Sequence, residues 1–511
     1  MGRMEEYDAL QRGLLEAWHA NAWGSEEDHV VVLLPSFSLG PTILSHYQPR
    51  LGPLEHRYLI ASLMLRSIPG ADLVLVTCAD PGQEAIDYYA RLAFPDDPRR
   101  LKQRLHVLVI PDSSARGVSA KLLDRPDLIE RLRALIGARP ALIEAWNVTD
   151  DEVAVGLALG VPVNGTSPAL WPLGFKSAGR RLFREAGVPT PTGCEEVHDA
   201  EEVAAAIATI RRSRPRLADV VVKQDNSGAG DGNWVVRTSS SGRRIPRQRL
   251  SEECFRDAPD WFAPDLVAGG IVEEMVRGRA VTSPSAQIDI GADGSVRVLA
   301  THEQVLGGDN GQVFVGCRFP ADPAYAGTLA AHARSVGGLL AGHGALGRVA
   351  VDFVAVRRRG NWDVLALEIN LRRGGTTHPY TALRHLVPGA YNEEAGCWVA
   401  DDGSSRCYRA DDNLQHPELL GMPSGLAISA VGEAGLGFDH VTGTGVVLHM
   451  LSGLAVDGRI GLTAIGRTPA DAEALHAAVE PALVRAALTQ PSFPTNGLPG
   501  ASSGSTSVRN D

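Results

Sequence analysis

The sequence has no run of about 18 apolar residues, the length a membrane-crossing helix needs, so no membrane partner is expected. Cysteine is sparse. Cys78, Cys194, Cys254, Cys317, Cys397 and Cys407 are widely scattered and no two form Cys-x-x-Cys, which excludes a zinc-finger pattern or a disulfide framework. Such thiols fit a reducing cytoplasm, the expected compartment. Positive charge is also lacking. The formal net charge is −11, a poor match for general nucleic-acid binding, so no nucleic-acid partner is expected. No G-x-G-x-x-G follows an apolar run, and no G-x-x-x-x-G-K-[ST] occurs, which removes the dinucleotide fingerprint and the P-loop. The acidic start, Met1 to Glu6, is not a signal peptide, and there is no internal repeat.

What is present is globular. Hydrophobic residues make up 44% and charged residues 21% of 511, with room for about three domains. Leu10, Leu14, Leu15 and Trp18 set a helix over residues 4–22. The apolar runs Val30–Leu34, Leu73–Thr77, Leu105–Ile110 and Ala141–Ala145 alternate with helix-like stretches such as Leu122–Ile136. That alternation predicts a doubly wound parallel α/β unit over 1–163. A second unit, 164–384, opens with helices at 174–187 and 200–212 and continues strand-rich from Asp219 to about Leu371. A third, 385–490, carries strand runs Gly445–Met450 and Arg459–Ile465 around a tight turn at Val456–Gly458, then a helix over 470–488. The tail 491–511 is rich in Ser, Gly, Asn and Pro and is expected to be disordered.

One strand carries candidate chemistry. Leu365, Leu367, Ile369 and Leu371 alternate with Ala366, Glu368, Asn370 and Arg372. Period two puts Glu368, Asn370 and Arg372 on one face, about 6.5–7 Å apart. A carboxylate beside an amide oxygen suits a hard cation such as magnesium, and the arginine suits a phosphate. A solvated strand face reads the same way. Asp352 shifts the balance, being a lone acid among Val349, Val351 and Phe353. A hairpin through Arg357–Trp362 would set it opposite Glu368 and give a metal site of Asp352, Glu368 and Asn370. The alternative is that Asp352 pairs with Arg348.

Phosphate-binding elements lie upstream. Val220–Val222 reads as a buried strand ending in Lys223, followed by a loop over 224–232 in which Ser227, Gly228 and Gly230 offer close backbone approach to phosphate. A flexible hairpin is the plain alternative. Lys176 stands at a helix start, where the positive end of the macrodipole disfavours a lysine unless an anion is near. Ile271–Val276 reads as a strand whose backbone, with Met275 or Val276, could meet an adenine ring, though a core strand would look alike. The five arginines between Arg237 and Arg249 fit a solvated loop.

In order, these pieces resemble the ATP-grasp superfamily: Lys176, Lys223, Ser227–Gly232, Val272-Glu-Glu-Met-Val276, Val351-Asp-Phe353, Leu367-Glu-Ile-Asn-Leu-Arg372. The α/β unit before them looks like the domain that precedes that fold. Leu34-Pro-Ser-Phe-Ser38, Gly174–Ala178, Arg181–Pro189, Glu303-Gln304 and Gly374–Pro379 resemble, more closely, the peptide ligases of the pheganomycin type. The resemblance implies an ATP-grasp fold followed by a small C-terminal α+β domain. It implies that Lys176 and Lys223 hold ATP phosphates under the glycine loop, and that Glu273, Glu274, Met275 and Val276 bind adenine. Asp352, Glu368 and Asn370 would hold magnesium, or manganese. Arg372 would stabilise an acyl-phosphate or tetrahedral intermediate, and His378 would orient substrate or serve the turn as a structural residue.

Two departures stand out. Ala280 occupies the place where many members carry a ribose-binding acid. Thr377 precedes His378 where biotin carboxylases have glutamate, and no biotinyl-lysine motif is present, which argues against biotin chemistry. The implied activity is ATP-dependent carboxylate–amine ligation through an acyl-phosphate, with a small carboxylate and an amino-acid or peptide amine as partners. Phosphotransfer to another acceptor and a non-catalytic ATP-binding scaffold are the alternatives.

Overall fold

The computed structural model describes residues 2–38, 40–215, 217–227, 232–240, 243–307 and 313–489. The tail 491–511 and the candidate residues Gly228 and Gly230 lie outside the described residues.

Four strands, β1 (His29–Leu34), β2 (Ala71–Thr77), β3 (Leu105–Val109) and β4 (Ala141–Ala145), form a parallel sheet in the order β3-β2-β1-β4. Alternate residues feed two cores. Val30, Val32 and Leu34 join one, while Val31 and Leu33 join the other. A parallel sheet covered on both faces explains the near-continuous apolar runs. Strand order reverses between β1 and β4, the kind of switch point at which open α/β sheets place ligands.

Besides the strand pair Ser239–Ser240 and Arg243–Arg244, two larger antiparallel sheets follow among the described residues. The smaller has the order Gly193–Cys194, Gly270–Glu274, Asp219–Gln224, Asn233–Arg237. The larger holds the Asp352 strand, Gly347–Arg358, paired with the Glu368 strand, Asn361–Asn370. It continues without interruption through Val313–Phe319 to Ser405–Gln415 and Arg459–Gly466. The stretches 164–384 and 385–490 therefore share one sheet. Among the described residues, no helix is long and apolar enough to cross a membrane.

Several expectations need correction. The helix over 4–22 is two, Arg3–Gln11 and Leu14–Ala20, broken at Gly13, where glycine carries its usual cost of about 1 kcal/mol in a helix. Leu122–Ile136 likewise divides into Val118–Leu123 and Pro126–Ile136, because Pro126 cannot continue the preceding helix. Within the strand-rich region, Pro323–Gly342 is a 20-residue helix that packs on the large sheet through Tyr325, Ala326, Leu329, Ala330, Ala333, Val336, Gly337 and Leu340. The arginine-rich stretch becomes helical at Arg247–Glu253. The connection before Arg459 contains helical turns, Leu451–Gly453 and Leu454–Asp457, and closes on Gly458 at φ 70°.

The alternation along Leu365–Leu371 is broken. Asp352 pairs with Glu368 but Phe353 pairs with Ala366, so Leu367 is a bulged extra residue. Val364 and Ala366 therefore share a core with Ile369 and Leu371, and Leu365 and Leu367 do not belong to it. The bulge leaves Glu368 and Asn370 facing the cleft as expected and reverses the faces N-terminal to them.

Candidate active site

The tight turn at Arg359-Gly360, with φ of 50° and 93°, folds the Glu368 strand back on the Asp352 strand and sets the two acids opposite each other. Each carboxyl shifts the other. Asp352 also accepts from Gln304 Nε2 at 2.7 Å and from Asn370 Nδ2 at 2.9 Å. Two touching carboxyls cannot both stay charged. Burial, and then the Glu368 charge, push Asp352 well above the usual carboxylate range. Burial acts on Glu368 in the same direction, but Lys176 and Lys223, with the Asp352 hydrogen bond and Arg372, outweigh it and hold Glu368 low. With the pKa raised on Asp352 and lowered on Glu368, the pair favours a single negative charge where a cation would neutralise both groups. The Asn370 amide, donating through nitrogen, keeps its oxygen as a third donor. Two carboxylates and an amide oxygen fit a hard divalent ion.

The charges of both lysines act on Glu368. Lys176, 4% exposed, lies 3.8 Å from Glu368 Oε2 and donates to the Ser227 carbonyl and hydroxyl, each at 2.9 Å. Burial pulls its ammonium below the usual lysine range, with Glu368 working the other way. Lys176 opens the helix Lys176–Glu185, and the anion that end requires is Asp225, whose Oδ1 accepts from the Ser177 N–H at 2.8 Å. Lys223 reaches Glu273 Oε2 at 2.8 Å across the small sheet. Gly232 closes the loop stem, since a Cβ there would sit 2.2 Å from the Ser227 side chain.

Glu273 and Glu274 are both engaged. Buried Arg180 pairs with Glu273, while Glu274 binds Arg214 Nε at 2.8 Å and accepts from the Thr192 N–H at 3.0 Å. The strand ends at Glu274, and half-buried Met275 and Val276 follow it. Arg372 has its guanidinium tied to the Arg373 carbonyl at 3.1 Å. Burial lowers its pKa, and Glu368 and Asp352 oppose that shift.

His378 faces a different group. Its Nε2 is 2.8 Å from Asp412 Oδ1, the oxygen that His449 Nε2 also meets at 2.8 Å. Arg57 takes the other Asp412 oxygen at 2.8 Å. Burial lowers the His378 pKa to about 4, against the pull of Asp412. The unfolded chain therefore takes up this proton before the folded protein does, and stability falls as pH drops below the ordinary histidine value. The loss expected is about 3 kcal/mol by the time pH reaches the folded value. Melting temperature against pH should show this acid limb, and His378→Asn should flatten it.

Several of these groups escaped sequence reasoning. Gln304 appeared only through resemblance, Asp225 and Arg180 had no signal of their own, and Asp412 lies within an acidic Asp411-Asp412 pair. His449 left one clue, a lone histidine in the apolar run Gly445–Met450.

Comparison with known proteins gives the family. Residues 427–479 match the family model described as PGM1 C-terminal domain. The L-propargylglycine–L-glutamate ligase of Streptantibioticus cattleyicolor is 32% identical over 421 residues, 81% of this chain and 86% of that protein. Among solved structures, the Campylobacter jejuni biotin carboxylase complex with an ATP analogue aligns at TM-score 0.55 and 12% identity, over 92% of this chain and 95% of that one. An N5-carboxyaminoimidazole ribonucleotide synthetase in its ADP complex aligns at TM-score 0.50 and 14% identity, over 91% and 98%. At such identities these structures speak to the fold. The chain belongs to the ATP-grasp superfamily, and it is a ligase of that family, forming carbon–nitrogen bonds.

Proposed function

We propose that this chain joins an amino-acid-like carboxylate to the amine of an amino acid or short peptide, through an acyl-phosphate. The observation that carries the reading is the Asp352–Glu368 pair facing Lys176 and Lys223, with Arg372 in the same field. Support for amino acids as substrates is the 32% identical relative, whose name gives two amino acids.

In this reading ATP lies between the small sheet and the large one. Lys176 and Lys223 bind its phosphates, exchanging their present contacts with Glu368 and Glu273 for phosphate oxygens. Met275 and Val276 pack against adenine, and the backbone around Glu273 and Glu274 supplies its polar edge. Asp352, Glu368 and Asn370 would hold magnesium or manganese, which supplies charge neutralisation at the phosphate oxygens. The loop over 224–232, with Ser227, Gly228 and Gly230, covers the phosphates and excludes water.

A carboxylate oxygen of the acid attacks the γ-phosphorus and ADP leaves. The amine nitrogen then attacks the acyl carbon, loses a proton, and phosphate departs with that carboxylate oxygen. Arg372 offsets the negative charge that grows on the acyl oxygen or on the leaving phosphate. Residues 1–163 and 385–490 flank the catalytic unit 164–384 on the substrate side. A reducing cytoplasm suits the six free cysteines.

The test is ADP release over a matrix of amino acids, read by product mass. The expected product weighs the acid plus the amine less one water. A stable phosphorylated product with no amide would replace this reading by phosphotransfer.

A further inference from the structure

The cluster around Asp412 joins three distant parts of the chain. Arg57 comes from the N-terminal unit, His378 from the helix after Arg372, and His449 from the C-terminal strands. All are buried: 7%, 7% and 0% exposed, with Asp412 at 9%. Space for the His449 ring is built in. It lies opposite Gly461, where a Cβ would fall 2.2 Å from the imidazole.

The contacts close into a ring. The Arg57 guanidinium lies over Trp146 at 4.9 Å and Phe37 at 5.4 Å, aromatic residues just beyond the ends of β4 and β1. The Trp146 carbonyl accepts from the Arg373 N–H at 3.0 Å, and the Arg373 side chain pairs with Glu144. Arg373 is five residues before His378, so the ring runs Arg373, Trp146, Arg57, Asp412, His378. The segment between is pinned further. Gln287 donates to Thr376 Oγ1 at 3.0 Å, and Gly375 lies under Phe314, where a Cβ would sit 2.3 Å from the ring.

A metal ion is one reading of two histidines and an aspartate in contact. Charge argues against it. Arg57 already neutralises Asp412, and a divalent ion would bury two further positive charges with nothing to balance them. Hydrogen bonding accounts for the geometry. Two Nε2–H groups donate to one oxygen and Arg57 donates to the other, so the carboxylate is fixed from three directions.

We propose that His449 is a positioning residue, which through Asp412 and His378 fixes the segment Arg372–His378 beside the reacting carboxyl. This rests on the reading of Arg372 given above. The C-terminal strands thereby gain a role in the chemistry. Without His449 the Asp412 carboxylate turns, His378 loses its fixed acceptor, and the segment carrying Arg372 loosens.

The test compares His449→Phe, His449→Gln and Gly461→Ala with the wild type by hydrogen–deuterium exchange and by turnover. His449→Phe removes the donor, Gly461→Ala displaces the ring, and the amide of His449→Gln restores an N–H. The first two are expected to raise exchange over 374–386 and leave 219–224 and 270–274 unchanged, with His449→Gln near wild type. With the amino-acid pair that the wild type joins, kcat should fall roughly ten- to hundredfold while KM for ATP stays within about twofold. Unchanged exchange over 374–386 in folded His449→Phe or Gly461→Ala overturns the proposal. So does a uniform rise in every segment, which would mean general packing. A zinc-dependent rise in melting temperature that His449→Phe removes would overturn it in favour of a metal site. Exchange needs no substrate, so it decides the point even if the wild type joins no amino acids.

Discussion

Glu368→Ala is expected to reduce ADP release by about three orders of magnitude or more while the fold stays intact. Glu368 is the acid on which Lys176, Lys223, Asp352 and Arg372 all act. Its loss removes one metal donor and the charge that orients the lysines. Stability should move differently. In chelator the variant loses the charge that faces buried Lys176, so it should melt somewhat lower than the wild type. Magnesium should then raise the wild-type melting temperature and leave the variant unmoved. The sign with pH follows from Asp352, whose folded pKa is raised. Its contribution to stability is full below the unfolded carboxylate value and is lost as pH rises through the folded value, so stabilisation by magnesium should grow with pH. Wild-type turnover in Glu368→Ala would remove the metal assignment.

Arg372→Ala carries the second large effect and separates chemistry from nucleotide binding. The ATP phosphates are assigned to Lys176 and Lys223, so KM for ATP should change little. The chemical step should slow by about 10²–10³, the usual loss when one preorganised charge partner is removed. Arg372→Lys should recover part of this, since the charge returns without the planar fork. Single-turnover measurement of amide formation checks it. An increase in KM for ATP with unchanged kcat would move Arg372 to the nucleotide.

Much of this site was legible in the sequence, for identifiable reasons. The Asp352–Glu368 register followed from one acid in each of two apolar runs joined by Arg359-Gly360, and the structure pairs those residues. The four parallel strands were legible as apolar runs because both faces are buried. The bulge at Leu367 was not, since an extra residue in a leucine-rich strand leaves the apparent period intact. Pro323–Gly342 escaped because alanine and glycine also occupy its outer face, at Ala324, Gly327, Ala331 and Gly338, which leaves little contrast with the buried Tyr325, Leu329, Val336 and Leu340. Asp225 capping the Lys176 helix and Asp412 joining three units are contacts across 48 and 34 residues or more. Local pattern holds no record of such distances.

Transfer of oxygen tests the central claim most directly. With the carboxylate of the acid substrate labelled with ¹⁸O, an acyl-phosphate route carries one labelled oxygen into inorganic phosphate for each amide formed. Label in phosphate at one atom per turnover is the expected result. Amide formed with unlabelled phosphate would contradict the account.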